Sequence, residues 1–270
     1  MEHVLQLIRA RRSVRSFDGA PLSPELREQM ERFAAGIENP YGIPVRFRFR
    51  DAAEQGLSSP VITGETLYFA AFVPKTAHAE EAFGYAFETL VLYAQSLGLG
   101  TTWIGGTMNR GEFSRAFGLR DEELMPCVSP LGRPAAKMSL RETLMRKGAK
   151  ADSREPFEKL FFDGSFDTPL TEAAAGKLAP ALEAVRLAPS AVNRQPWRVL
   201  RQGERLHFYV KHAKGYVSQA TGDLQKVDLG IALCHFDLAA RETGLAPRFL
   251  LEDPGLPTQA DTEYIASYAL

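Results

Sequence analysis

Most of the features that would place this sequence quickly are missing from it. It has two cysteines in 270 residues, Cys127 and Cys234, far apart and not in a CxxC pair. A disulfide framework and a cysteine-based structural zinc are therefore not expected, and a reducing cytosol is the simplest compartment. The five histidines, His3, His78, His207, His212 and His235, form no HExxH and no other paired ligand spacing, so no metal site is expected. Charge of one sign is missing as well. The 32 Lys+Arg balance 33 Asp+Glu to a net −1, which removes any global reason to expect nucleic acid or a membrane surface as partner. There is no GxGxxG opening a helix after a strand, no P-loop and no GxSxG elbow. The start, Met1-Glu2-His3-Val4, lacks the basic opening and apolar stretch of a signal peptide. The run from Thr89 to Asn109 carries no charge, but Gly98, Gly100, Gly105 and Gly106 interrupt it. It reads as a buried helix entering a glycine-rich loop, not as a membrane span.

What is present is an ordinary globular composition, 45% apolar and 24% charged. Its length fits one large domain or two small ones. The chain also resembles itself. Phe17-Asp18-Gly19 recurs as Phe162-Asp163-Gly164, and Pro21-Leu22-Ser23 as Pro169-Leu170-Thr171, at offsets of 145 and 148. A helix is expected after each. In the first, Ser23 is the cap, Pro24 the first helical residue, and Leu26, Met30 and Phe33 the apolar stripe. In the second, Leu178, Leu182 and Val185 form the stripe, with Thr171 as a possible cap. A longer helix over about Ala79–Leu97 matches one over about Leu224–Thr243 at an offset of 146, with Gly84 opposite Gly230 and Leu92 opposite Leu238. Strand-like runs lie between: Val45–Phe49 and Leu67–Val73, then Trp197–Leu200 and Leu206–Val210. Chance pairing of Gly-Leu and Phe-Asp is the competing explanation, but matches in one order at nearly one offset weigh against it. Two halves are expected, 1–150 and 151–270, each reading helix, strand, strand, long buried helix. The long helices would pack at the interface between halves, making one integrated unit, a covalent version of a two-fold dimer.

Four segments could carry chemistry. Arg9, Arg11, Arg12 and Arg15 surround Ser13 just after an amphipathic turn of Val4, Leu5, Leu7 and Ile8. Guanidinium forks and a hydroxyl suit a phosphate, although such a cluster by itself is usually just a solvated basic face or an RNA contact. Ala188-Pro189-Ser190-Ala191-Val192-Asn193-Arg194-Gln195-Pro196-Trp197 is a proline-bounded loop. Its amide and hydroxyl groups can read a planar heterocycle, or can simply bond their own backbone. Leu97 to Gly106 ends a buried helix and leaves Gly105 and Gly106 as bare backbone that a ligand can approach. The plain alternative is a helix C-cap and a turn. Pro130 to Pro134, continuing through Lys137, Arg141, Arg146, Lys147, Lys150 and Arg154, reads as a basic, irregular connector. No pair of side chains is nominated as acid and base.

Taken together these segments resemble the FMN-dependent nitroreductase family, and its single-chain duplicated branch in particular. Arg11-Arg12-Ser13-Val14-Arg15-Ser16-Phe17 is similar to the family's N-terminal phosphate motif. Ala188-Pro189-Ser190 with Asn193, Gln195, Pro196 and Trp197 is similar to its APS-x-x-N-x-QPW segment, and Leu97–Gly106 and Pro130–Pro134 to its flavin-edge loop and GyP segment. The resemblance covers nearly the whole chain. It implies an α+β nitroreductase-like fold of two tandem repeats, each with helices on a mainly antiparallel sheet, forming an intramolecular pseudo-dimer.

For the site, the resemblance implies that Arg11, Arg12, Ser13 and Arg154 hold the FMN phosphate and ribityl oxygens, and that Arg15 meets the pyrimidine side. Gly105 and Gly106 would offer N–H groups to the N5/O4 edge, and Pro189, Ser190, Ala191 and Asn193 would close the site from the other half. It implies hydride transfer from NAD(P)H, a transient donor, through FMN to a nitroaromatic, quinone or related small electrophile, with no catalytic side chain of the protein's own. The family's ordinary members are dimers with both motifs near the N-terminus, whereas here the second lies some 180 residues after the first. The duplicate site lacks its donors: Pro156, Phe157 and Glu158 stand where Arg11, Arg12 and Ser13 would recur, and Glu38 and Tyr41 where Ser190 and Asn193 would. One FMN per chain is expected, in a protein able to work as a monomer, with no nucleic-acid or membrane partner. A flavin-sequestering or redox-sensing protein without turnover, and a basic nucleic-acid or partner-binding module built on Arg9 to Arg15, remain open alternatives at this stage.

Overall fold

The computed structural model describes residues 1–139, 142–143, 148 and 153–270. The expected division at residue 150 lies outside the described residues, as do Arg141, Arg146, Lys147 and Lys150 of the basic stretch. Among the described residues, the helices longer than one turn are α1 (Val4–Ala10), α2 (Pro24–Ala35), α3 (Ala79–Ser96), α4 (Arg110–Phe117), α5 (Ala179–Leu187) and α6 (Leu224–Glu242).

The first sheet contains β1 (Arg46–Asp51), β2 (Leu67–Pro74), β3 (Gly100–Thr101), β4 (Glu123–Leu124) and β5 (Val128–Gly132), in the order β1-β2-β5-β3 with β4 on β2. After β6 (Phe161–Asp163) and β7 (Ser165–Pro169), the second half supplies β8 (Trp197–Gln202) and β9 (Arg205–Lys211). A small ladder of β10 (Val217–Ser218) and β11 (Gly222–Asp223) follows, then β12 (Arg248–Leu250) and β13 (Thr262–Ala269). The second sheet runs β12-β13-β9-β8-β6-β7. Read from the other side, β8-β9-β13-β12 repeats the order β1-β2-β5-β3. All these pairings are antiparallel except β6 with β8. The repeated order helix, strand, strand, long helix is therefore matched by a repeated sheet.

Local chemistry explains the elements. Ser23 Oγ accepts the Leu26 N–H at 3.3 Å and Pro24 opens α2, as the cap rule requires. In β2, alternate residues serve opposite faces. Leu67, Phe69, Ala71 and Val73 join the core under α2 and α3, while Tyr68, Ala70 and Phe72 join a second core under α4 with Phe113 and Phe117. Both faces are covered, so the strand is apolar throughout. The alternating arginines of β1 are held by Glu123 (Arg46), by the Phe117 carbonyl (Arg48, 2.5 Å) and by the Ala116 carbonyl (Arg50, 3.1 Å). Two of the three thus neutralise the C-terminal end of α4.

Two expectations are corrected. Pro130 to Gly132 is not irregular: it belongs to the wholly buried strand β5, paired with β2 on one side and β3 on the other. Thr171 does not cap the stripe of Leu182 and Val185. Its Oγ1 accepts from Ala174 N at 3.2 Å to cap a single turn, Glu172–Ala175. Gly176, at φ 55, ends that turn, and α5 begins only at Ala179.

The halves meet along α3 and α6, which cross backbone to backbone. A Cβ on Gly84 would run into the Val227 carbonyl, and one on Gly230 into the Glu81 carbonyl. Adding 146 to Gly84 and Glu81 gives Gly230 and Val227, so the two contacts are related by the internal repeat. Helix α1 departs from the simple division. Its Val4 and Ile8 lie in the core formed by α5, α6 and the second sheet. Its first N–H groups, at Val4 and Leu5, are received by the Glu242 carboxylate at 2.6 and 2.8 Å, a charged cap at a helix start.

Candidate flavin site

Helix α1 ends at Ala10, and Arg11 turns the chain into an extended segment. Ser13 bridges Thr101 and Ser16 bridges Thr63, while Phe17 pairs with Pro134. The arginine segment thus lies against the start of the glycine loop and against the end of β5. Arg11, Ser13 and Arg15 are half-buried and Val14 and Ser16 are buried, whereas Arg12 is exposed. In an extended chain alternate residues share a side, so Arg11, Ser13 and Arg15 form one set and Arg12 stands outside it.

The Arg11 side chain is 6% exposed, and its Nε is 3.8 Å from Glu88 Oε1. Glu88, on α3, is fully buried and has two further partners from different parts of the fold. Trp103 Nε1 donates to Oε2 at 3.0 Å, and His235 Nε2, from α6, meets Oε1 at 3.0 Å. His235 Nδ1 in turn meets the Ala184 carbonyl of α5 at 2.8 Å. This chain of contacts links the arginine segment to the helix that leads into the APS loop.

In the glycine loop the two glycines differ. Gly105 is closed in: a Cβ there would sit 3.2 Å from Cys127 Sγ and 3.9 Å from Leu224 Cδ1. Gly106 is open, with nothing within 4 Å of a Cβ. Arg110 fixes the loop by donating to the carbonyls of Gly105 (2.8 Å), Met125 (2.8 Å) and Pro126 (3.0 Å). Burial holds its guanidinium below the ordinary value.

The APS loop is bent and held from several directions. Val192, Asn193 and Gln195 have φ of 51, 55 and 51°, which costs on the order of 1 kcal/mol or more per non-glycine residue. Ser190 Oγ accepts the Gln195 N–H at 2.9 Å, and Gln195 Oε1 accepts the Glu155 N–H at 2.9 Å. Asn193 Nδ2 donates to the Ser153 carbonyl at 3.0 Å, and Arg154 Nη2 to the Leu187 carbonyl at 3.2 Å. Arg154 therefore lies beside the hinge of the loop that holds Pro189, Ser190, Ala191 and Asn193. Ser190 and Gln195 spend these groups on the loop's own shape.

Asp228, four residues into α6, receives the Ala191 N–H on both oxygens at 3.0 and 3.1 Å. Burial pushes the pKa of its carboxyl well above the ordinary 3.8, opposed by the Ala191 bond and reinforced by the negative charge of Asp223. A raised folded value means that the stability of the buried neutral acid is complete below 3.8. It is lost as the pH climbs through the folded value. Asp228→Asn keeps an acceptor for Ala191 and removes the titration. Thermal melts over about pH 4 to 8 are expected to show a smaller loss of stability with rising pH in the variant than in the parent. Equal losses would contradict this.

Glu88, Arg110 and Asp228 were not singled out from the sequence. Glu88 had a visible signal, being the one charge between Ala82 and Asn109.

The related positions of the other repeat are built differently. Phe157 is 7% exposed and packs on Phe161 in the core, and Glu158 is exposed. Tyr41 stacks on His78 and meets Phe249 edge-on, with centroids at 5.2 and 4.8 Å. Among the described residues, the first of these two places carries guanidinium and hydroxyl groups at Arg11, Ser13 and Arg15, paired at Ser13 with Thr101 at the start of the glycine loop. That donor set fits a phosphorylated planar cofactor such as FMN.

The family model described as "Putative TM nitroreductase" matches residues 3–240. The chain belongs to this nitroreductase family. A solved "putative nitroreductase" from Thermotoga maritima MSB8 is 21% identical, covering 99% of this chain and 93% of its own, with a TM-score of 0.64, and shares the fold. An "FMN-dependent Nitroreductase" from Clostridium difficile R20291 is 16% identical over 52% of this chain and 94% of its own, TM-score 0.42. A "Putative NADH dehydrogenase/NAD(P)H nitroreductase" from Bacteroides thetaiotaomicron VPI-5482 is 19% identical over 52% of this chain and 90% of its own, TM-score 0.43. No curated relative matches the chain. Membership of the family implies an oxidoreductase. Among the described residues, no helix is long and apolar enough to cross a membrane.

Proposed function

We propose that this nitroreductase is an FMN-dependent NAD(P)H oxidoreductase with one flavin site per chain, assembled from both repeats of a pseudo-dimer working as a cytosolic monomer. The observation that carries the reading is the family match over residues 3–240, which contains both the arginine segment and the APS loop. Arg11, Ser13 and Arg154 hold the phosphate and ribityl oxygens, with Arg12 contributing from its exposed position. Arg15 supplies positive charge on the pyrimidine side. Gly105 and Gly106 offer backbone N–H groups, and Pro189, Ser190, Ala191 and Asn193 close the site from the second repeat. When bound, FMN supplies the hydride chemistry between NAD(P)H and a small nitroaromatic, quinone or related electrophile. The protein's own residues bind and orient, and none is required as acid or base.

The test is anaerobic mixing of the purified protein with NADH and with NADPH. A yellow protein whose visible bands bleach with at least one donor, and return on adding a nitroaromatic or a quinone, supports the reading. A yellow protein that neither donor bleaches is a flavin-binding protein without this turnover. A colourless protein that takes up no flavin removes the reading altogether.

A further inference from the structure

We infer that Glu88 is a positioning residue for Arg11: its buried carboxylate sets the direction in which Arg11 presents its guanidinium to the cofactor phosphate. The inference rests on the flavin reading above and adds to it a residue outside the binding segments.

The carboxylate is itself held in place. Trp103 Nε1 fixes Oε2 and His235 Nε2 fixes Oε1, each at 3.0 Å, from two different parts of the fold. The His235 ring is pinned at its other end by the Ala184 carbonyl, 2.8 Å from Nδ1. A carbonyl only accepts, so Nδ1 carries a hydrogen. The contact from Nε2 to Glu88 then needs a second proton, and the imidazole–carboxylate pair must keep one between them. Clamped on two sides, Glu88 does not follow Arg11. Arg11, at the end of a helix whose own start is fixed by Glu242, follows Glu88. At 3.8 Å the contact with Arg11 Nε is an ion pair and not a hydrogen bond, so the fixed carboxylate draws the planar guanidinium towards one position by its charge.

Stability alone does not account for the arrangement. A buried ion pair generally adds little over a well-packed apolar residue, and the neighbours of Glu88 on α3, Phe87, Leu90 and Val91, are apolar and fully buried. The internal repeat gives an independent argument. The residue related to Glu88 by the offset of 146 is Cys234, a buried thiol that meets a hydroxyl, Thr89 Oγ1, at 3.4 Å. That repeat also carries Pro156 and Phe157 where Arg11 and Arg12 would recur. The carboxylate is thus found where the arginine is found and is replaced where the arginine is replaced.

The test is titration of the flavin-free full chain with FMN and with riboflavin, which lacks the phosphate. Glu88→Gln is expected to weaken FMN about tenfold and riboflavin by less than about twofold. In an Arg11→Ala background the same change should leave the FMN-to-riboflavin ratio unaltered, because the effect passes through Arg11. Equal weakening of both flavins, no change in either, or an undiminished effect in the Arg11→Ala background would overturn the inference. Should Glu88→Gln not fold, as circular dichroism would report, His235→Gln removes one anchor of the carboxylate. It is expected to lower the same ratio, and an unchanged ratio there also overturns the inference. A parent protein that binds neither flavin removes the flavin reading itself, and the inference with it. A parent that prefers FMN while Glu88→Gln keeps the full preference leaves the flavin reading standing and removes only the role of Glu88.

Discussion

The double variant Arg11→Ala/Ser13→Ala is expected to bind FMN at least about 100-fold more weakly than the parent protein. A charge-assisted bond from a guanidinium contributes about 1.5–3 kcal/mol, and a hydroxyl bond about 1. Together they amount to two or more powers of ten in affinity. Both residues stand on the half-buried side of the extended segment, where water competes poorly, while Arg12 is exposed. Arg12→Ala should therefore cost much less. Riboflavin binding should change little in the double variant, since the proposed site gives both donors to the phosphate. Removing Arg11 also leaves Glu88 buried without its guanidinium, a destabilisation of up to a few kcal/mol. Affinity is therefore to be read by equilibrium titration at a temperature where circular dichroism shows the variant folded. A double variant that stays fully flavinated would refute the phosphate assignment.

Gly230→Ala is expected to cost about 3 kcal/mol or more of stability. For a chain of this size that corresponds to a fall of roughly 10 °C in Tm. The added Cβ would meet the Glu81 carbonyl and, at 2.8 Å, the Tyr85 amide nitrogen. Both are backbone atoms inside a helix and cannot rotate away as a side chain can. The helices α3 and α6 must separate, and with them Tyr85 from Asp237 (2.7 Å) and Glu88 from His235 (3.0 Å). Gly84→Ala should behave alike, because the internal repeat makes its contact with Val227 the counterpart. Gly36→Ala is the control: its Cβ would meet only the Phe33 carbonyl at 3.7 Å, an ordinary contact. Scanning calorimetry of the three variants separates the outcomes. A Gly230→Ala protein that melts with the control would mean that the crossing is looser than described.

What the sequence made legible was mostly local. The apolar stripe and the Ser23–Pro24 start announced α2, and the long apolar runs announced α3 and α6 to within a residue or two. The recurrence of Gly84 as Gly230 marked the crossing, although not that the glycines are needed for backbone contact. Strand β5 stayed hidden because Pro130 reads as a loop signal. The ladder with β3 reaches only Leu131 and Gly132, so Pro130 stands just beyond its end, a margin where proline is tolerated. Helix α1 was readable as amphipathic, but an apolar stripe does not say which core it enters. Only Glu242, at the far end of the chain, tells it. Of the candidate site, the donor segments were readable because arginine clusters and proline-bounded Asn/Ser loops are rare enough to notice. Their supports were not. Glu88, Arg110 and Asp228 act through contacts distant in sequence, and a lone acid or base in an apolar run has no partner until the fold provides one.

The central claim is a single FMN site made from both repeats, and the flavin stoichiometry tests it most directly. Calorimetric titration of the flavin-free 270-residue chain with FMN, checked by flavin released from the reconstituted protein, is predicted to saturate at one FMN per chain. Saturation at two per chain, or no binding, would contradict it.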